Sequence, residues 1–181
     1  MLAYWLSELG QKNIVGLEKS SVIPSDIAST AHASDFVYNT THDKLGCWTT
    51  AFSRKFYEDN GFFLKKGGLE ICRKGDDARW EELKRKVGSG KAFGTNVSLI
   101  SASEAKEKFP LLEEESLIGA MWDPDAGLVI PRSQDVVSFA VEHAKDKGAL
   151  KTFTDTPAID FEVESGRVTG VHTDKGFIKA D

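Results

Sequence analysis

Glu18 closes an apolar, strand-like run, Asn13 to Leu17, and a short polar segment, Ser29-Thr30-Ala31-His32-Ala33, follows it. A carboxylate at the tip of the second strand of a nucleotide-binding α/β domain accepts two hydrogen bonds from the vicinal hydroxyls of a ribose. Glu18 is placed for that role, and the hydroxyls and imidazole come where the chain would cross toward the rest of a bound dinucleotide. His32 adds a nitrogen that is a competent nucleophile near physiological pH. On residue type alone, a loop histidine that donates a hydrogen bond is the plainer reading.

The elements that must position these groups are legible in outline. Ala3 to Leu9 has apolar residues at helical spacing, with Gly10 as a stop signal, so it reads as the last turns of a helix. A complete dinucleotide fold would begin with a strand and a glycine-rich turn that brings backbone N–H groups to a pyrophosphate. Neither is present in these residues, and the expectation is that the sequence starts inside the first helix.

Further along, Cys47 to Asn60 has Trp48, Ala51, Phe52 and Phe56 at spacings suited to one buried helical face. Phe62-Phe63-Leu64 and Leu69-Glu70-Ile71 read as strands around a tight turn at Gly67-Gly68. A charged helix is expected from Asp76 to Lys91 and a strand from Val97 to Ile100, and Ser101 with Glu104 opens another helix that ends before Pro110. Leu117 to Trp122 and Gly127 to Ile130 read as strands joined by a turn at Asp123 to Ala126, and a helix from Arg132 to Lys147 stops at Gly148. Strands at Ala158 to Val163, Arg167 to Thr173 and Phe177 to Lys179 follow, with bends at Ser165-Gly166 and Lys175-Gly176.

Several of these pieces together resemble one family. Gly16-Leu17-Glu18-Lys19-Ser20, the Ser29 to Ala33 segment, Gly67-Gly68-Leu69-Glu70, Phe109-Pro110-Leu111-Leu112, Asp123-Pro124-Asp125-Ala126-Gly127 and Glu164 to Val171 are similar, in order and spacing, to the FAD-dependent amine oxidoreductases related to glycine oxidase. Within that family the likeness is to the dimethylglycine oxidase, dimethylglycine dehydrogenase and sarcosine dehydrogenase branch, and it runs nearly end to end.

The resemblance implies a mixed α/β fold: a partial Rossmann-like FAD-binding domain with an inserted substrate-domain segment of mixed sheet and helices. The expected division is a partial FAD-binding domain at 1–60, a substrate-domain segment at 61–130, and a return to the FAD-binding domain at 131–181. It implies cofactor contacts at Glu18, Lys19, Ser29, Thr30, His32, Ala33, Val37 and Ala158. Glu18 would hold the adenosine ribose, the backbone of Ala158 would meet the adenine, and His32 would be joined covalently to the flavin. Ser34 and Asp35 depart from the small residue and glycine usual after that histidine. A carboxylate beside a flavin disfavours its electron-rich reduced form, so either Asp35 points away or the site is altered.

The activity implied is oxidation of a C–N bond in an N-methyl amino acid such as dimethylglycine or sarcosine. A hydride equivalent would pass to the flavin, and hydrolysis would release formaldehyde. Oxygen or an electron-transfer flavoprotein would be the oxidant. No catalytic residue is assignable, and the remaining flavin contacts are expected beyond Asp181. The alternative is a truncated product that does not retain FAD, because a missing phosphate cradle forfeits bonds worth about 1.5–3 kcal/mol each.

Composition narrows the remaining classes. The 181 residues, 40% hydrophobic, can bury a core, and a net charge of −5 argues against nucleic acid. Cys47 and Cys72 form no C-x-x-C pair, so neither a disulfide framework nor a metal site is expected, and an intracellular location, cytoplasmic or mitochondrial, fits. No run approaches the about 18 apolar residues that cross a bilayer. Gly88 to Gly94 has the wrong spacing for a phosphate loop and follows a helix, and His42, His143 and His172 read as surface or packing residues.

Overall fold

The computed structural model describes residues 1–180, so Asp181, the last position of the expected third region, lies outside the described residues. In chain order the elements are α1 (Leu2–Glu8), β1 (Ile14–Leu17), a 3-10 turn (Ser29–His32), β2 (Phe36–Val37), α2 (Lys44–Asp59), β3 (Phe63–Lys65) and β4 (Gly68–Arg73). They continue with α3 (Asp77–Ala92), β5 (Ser98–Ser101), α4 (Ala102–Lys108), a 3-10 turn (Glu114–Ser116), β6 (Leu117–Asp123) and β7 (Gly127–Val129). Last come α5 (Ser133–Asp146), β8 (Leu150–Phe153), β9 (Ala158–Glu164), β10 (Arg167–Thr173) and β11 (Gly176–Lys179). The chain forms two compact units, one of Met1–Ala33 with the residues from Ser133 onward, the other of Ser34–Arg132.

In the first unit β1 and β8 run parallel, from Ile14 opposite Leu150 to Leu17 opposite Phe153. Two parallel strands need a crossover between them, so their adjacency is a long-range decision. α1 lies on α5, with the Tyr4 ring 4.5 Å from that of His143. Glu8 accepts from both His143 and Lys147 at 2.5 Å. β9, β10 and β11 form an antiparallel meander, turned between β9 and β10 by Ser165 and Gly166, both at positive φ. Positive φ at both central residues gives a turn whose twist matches that of the strands.

The second unit contains two three-stranded sheets, β4-β6-β5 and β2-β7-β3, antiparallel throughout. α3 closes one core with Cys72, Leu83, Val87, Val97 and Met121, and Trp80 and Leu99 pack against it. Asp76 caps α3 by accepting from the Arg79 N–H at 3.0 Å. Ser101 and Glu104 form the expected capping box of α4, each satisfying the other's backbone N–H.

The expected strands and turns are present, but two sequential pairs of strands enter different sheets, and the buried face expected of α2 is corrected. β3 and β4 do not pair with each other: β3 joins β7, and β4 joins β6. At Gly67, at φ +76°, an added Cβ would fall 1.9 Å from the Trp122 ring, and the chain passes there from one sheet to the other. β6 and β7 likewise follow one another through the Asp123–Ala126 turn yet enter different sheets. On α2, Cys47 and Phe56 are buried, but Trp48 is 61% and Phe52 50% exposed. Those two rings stack on each other, 5.6 Å apart, and of the expected stripe Phe56 is buried and Ala51 half-buried while Trp48 and Phe52 face outward.

Candidate functional site

β1 delivers Glu18 to its C-terminal end, the place where open α/β sheets bind ligands. The main chain there is tied down on both sides. The Glu18 N–H donates to Phe153 O, Thr156 N–H donates to Glu18 O, and Asp155 N–H donates to Ser20 O, all at 2.9–3.0 Å. The side chain is half-buried, and its Oε1 accepts the Ser20 N–H at 2.7 Å. That bond points the carboxylate and leaves Oε2 with no hydrogen bond among the described residues. A carboxylate oriented by one backbone N–H can still accept from a diol, so the donor set fits an adenosine ribose.

The segment after β8 comes to the same place. Thr156 is buried, bonds to Glu18 through its N–H, and leads through Pro157 into Ala158 at the start of β9. Ala158 is exposed, so its backbone is open to a planar ring. Lys19, beside Glu18, is exposed as well. Lys175 pins this corner: its Nζ donates to Thr154 O at 3.2 Å and contacts Thr156 Oγ1 at 3.1 Å. Sequence reasoning missed Thr156 as an anchor, and it missed the Ser20–Ser25 hydroxyl pair at 2.8 Å that holds the loop after Glu18. Serines among Pro24 and Gly-free polar residues carry no pattern that marks them as buried.

The second candidate group occupies the 3-10 turn Ser29–His32, which packs against α5. Ser29, His32 and Ala33 are exposed, and Thr30 is half-buried. The His32 ring makes no hydrogen bond or ion pair among the described residues, so both nitrogens remain available. Seven of the eight expected cofactor residues thus fall in the first unit. Val37 belongs to the second, in β2 opposite Gly127. Asp35 also lies in the second unit, at φ +60°, with its backbone O accepting the Val129 N–H and its carboxylate 3.9 Å from Arg132 Nε.

The other histidines are partnered on the surface: His42 with Glu82, His143 with Glu8, and His172 with Glu162. The Lys147 and His143 bonds hold the Glu8 carboxyl below the usual carboxylate range. Cys47 and Cys72 are buried free thiols, and burial pushes the Cys72 thiol up. Among the described residues, no group of three or more metal-binding side chains converges and no helix is long and apolar enough to cross a membrane. A recess of about 760 Å³ on the meander is lined by none of the eight candidate residues.

In the second unit Asp123 is a buried carboxylate with three donors. It accepts from Asn39 N–H at 3.0 Å, Thr40 Oγ1 at 3.4 Å and Asp125 N–H at 3.1 Å. It thereby holds the strand exit after Val37. The Asp-Pro-Asp run signals a turn, but only the fold brings residues 39 and 40 to it.

Comparison with known proteins adds the family context. The family described as "FAD dependent oxidoreductase" matches residues 1–181. The mouse mitochondrial pyruvate dehydrogenase phosphatase regulatory subunit is 28% identical over 98% of this chain and 20% of its own length. Human mitochondrial sarcosine dehydrogenase is 26% identical over 97% of this chain and likewise 20% of its own. The crystal structure of L-proline dehydrogenase from P. horikoshii superposes with a TM-score of 0.85 at 27% identity, over 98% of this chain and 46% of that one. The chain therefore spans about a fifth of the curated relatives and just under half of the solved structure.

Proposed function

The chain belongs to the FAD-dependent oxidoreductase family, and from that premise we propose that it forms part of an enzyme that oxidises the C–N bond of an N-methyl amino acid, with dimethylglycine or sarcosine as substrate. The observation that carries the reading is Glu18: a half-buried carboxylate at the end of β1, aimed by the Ser20 N–H, with no hydrogen bond on Oε2 among the described residues and the 156–158 segment bonded beside it. When bound, FAD supplies the two-electron oxidation.

This chain's own residues have the remaining tasks. Glu18 accepts the ribose hydroxyls, the Ala158 backbone meets the adenine, and Lys19 supplies a positive charge nearby. Ser29 and Thr30 offer hydroxyls toward the cofactor, Ala33 leaves it room, and Val37 is a further cofactor contact. His32, exposed and unpartnered, is the attachment point of a covalent bond to the flavin. The FAD-binding role falls to 1–60 and 131–181, and the substrate-domain role to 61–130. The similarity to human sarcosine dehydrogenase supports the N-methyl substrate class. Both mammalian relatives are named as mitochondrial, which supports a matrix location. Oxygen or an electron-transfer flavoprotein takes the electrons.

The test is purification of the chain with FAD, followed by denaturing electrophoresis. Yellow colour in the native protein and a fluorescent band that survives denaturation are expected, with the band lost in His32→Ala. Glu18→Ala lowers FAD affinity by about 1.5–3 kcal/mol, the value of a charge-assisted hydrogen bond. Formaldehyde release from sarcosine with an artificial acceptor checks the substrate. Absence of flavin before and after denaturation overturns the reading. It would favour a non-catalytic role, which the similarity to a phosphatase regulatory subunit also supports.

A further inference from the structure

The second unit carries a recess of about 550 Å³ that none of the candidate flavin residues lines. Its floor is one face of the β4-β6-β5 sheet, where Leu69 stands opposite Trp122 and Ile71 follows one pleat along. Phe36 and Phe109 wall it, and both are over two-fifths exposed, as large apolar groups around a concave space rarely are without a ligand. The shape is built in. Added Cβ atoms at Gly67 and Gly68 would meet the Trp122 and Phe36 rings at 1.9 and 2.6 Å, so the two glycines let both rings rest directly on the backbone.

The polar groups at the rim have one sign. Lys108 places its ammonium 4.3 Å over the Trp122 ring, and Lys66 lies where β3 leads into the recess. Neither ammonium has a carboxylate within 4 Å among the described residues, and Lys108 meets Glu104 only as a more distant charge. No acidic side chain lines the recess, in a chain of net charge −5. The lining has no arginine fork suited to a phosphate. It also has no carboxylate to pair with an α-ammonium, which sets it apart from an amino-acid site.

We propose that this recess binds a small carboxylic acid with an apolar ring and no amino group, the ring on Trp122, Leu69 and Ile71 and the carboxylate between Lys66 and Lys108. The proposal does not rest on flavin binding. Its probe is indole-3-acetate, titrated into the full chain and followed by amide NMR. Saturable shifts are expected at the Gly67, Gly68 and Leu69 N–H groups and at the Trp122 indole N–H. The neutral amide, indole-3-acetamide, binds about fivefold more weakly, the scale of one exposed charge interaction. The Lys66→Ala, Lys108→Ala double variant keeps a dispersed spectrum and reduces the acid's affinity to that of the amide. No shifts at millimolar probe, shifts mapping to other residues, or equal affinity for acid and amide would each overturn the proposal.

Discussion

The two units solve burial differently. The second packs large side chains, Leu83, Val87, Val97, Leu117 and Met121, between helices and sheet. The first buries mostly small residues, Val136, Ala140, Ala144 and Ala149 with Leu150, along α5 and its exit into β8. Its meander leaves Ile159, Phe161, Val163 and Val168 at least half exposed on one face. Apolar burial contributes roughly 25 cal/mol per Å² removed from water, so the larger core side chains of the second unit each contribute more. The first is the one whose stability a ligand can raise, because binding to the folded state alone adds to it by mass action.

The largest expected effect tests the first half of that contrast. Leu83→Ala removes a fully buried side chain, and urea unfolding followed by tryptophan fluorescence should show a loss of about 2–5 kcal/mol. A loss below that range would mean the core is looser than its burial says. Next comes Gly67→Ala, which puts a methyl into the Trp122 ring at a positive-φ position; the expected cost is about 1–3 kcal/mol, read as a lower thermal midpoint.

A pH effect distinguishes the units further. Lys65 first, then Asn96 and Arg54, hold the Asp125 carboxyl below the usual aspartate range. A folded value lower than the unfolded one means the contribution is present above the ordinary aspartate range and is lost as pH falls through the folded value. Asp125→Asn should therefore cost about 1 kcal/mol at neutral pH and flatten the acid side of the second unit's stability profile. Glu8 should give the first unit an acid loss of the same sign, through Lys147 and His143. The smallest effect sharpens the contrast from the other side. Ile159→Ser, at an open face of the meander, should change stability by no more than about 0.5 kcal/mol; a core-sized loss would show that the face is covered.

Much of the local structure was legible in advance. The Gly10 stop, the capping box at Ser101 and Glu104, the end of α4 before Pro110 and the Ser165-Gly166 turn all fall where their residue types put them. β8 escaped notice, because Leu150-Lys151-Thr152-Phe153 is short and follows directly on a helix stop. That omission hid the parallel partner of β1, and with it the reason Glu18 and Thr156 meet. The aromatic stripe of α2 misled because Trp48 and Phe52 are apolar at helical spacing yet pack on each other.

By itself the sequence determined most of the helices, strands and turns, and that Glu18 would end a strand, since caps, glycine turns and apolar periods act over a few neighbouring residues. Only the tertiary structure decided which strands pair, that β3 and β4 part company at Gly67, and that Thr156 and the loop hydroxyls anchor the Glu18 corner. Pairing and burial depend on groups far apart along the chain, and a backbone N–H carries no mark of the carbonyl it will reach.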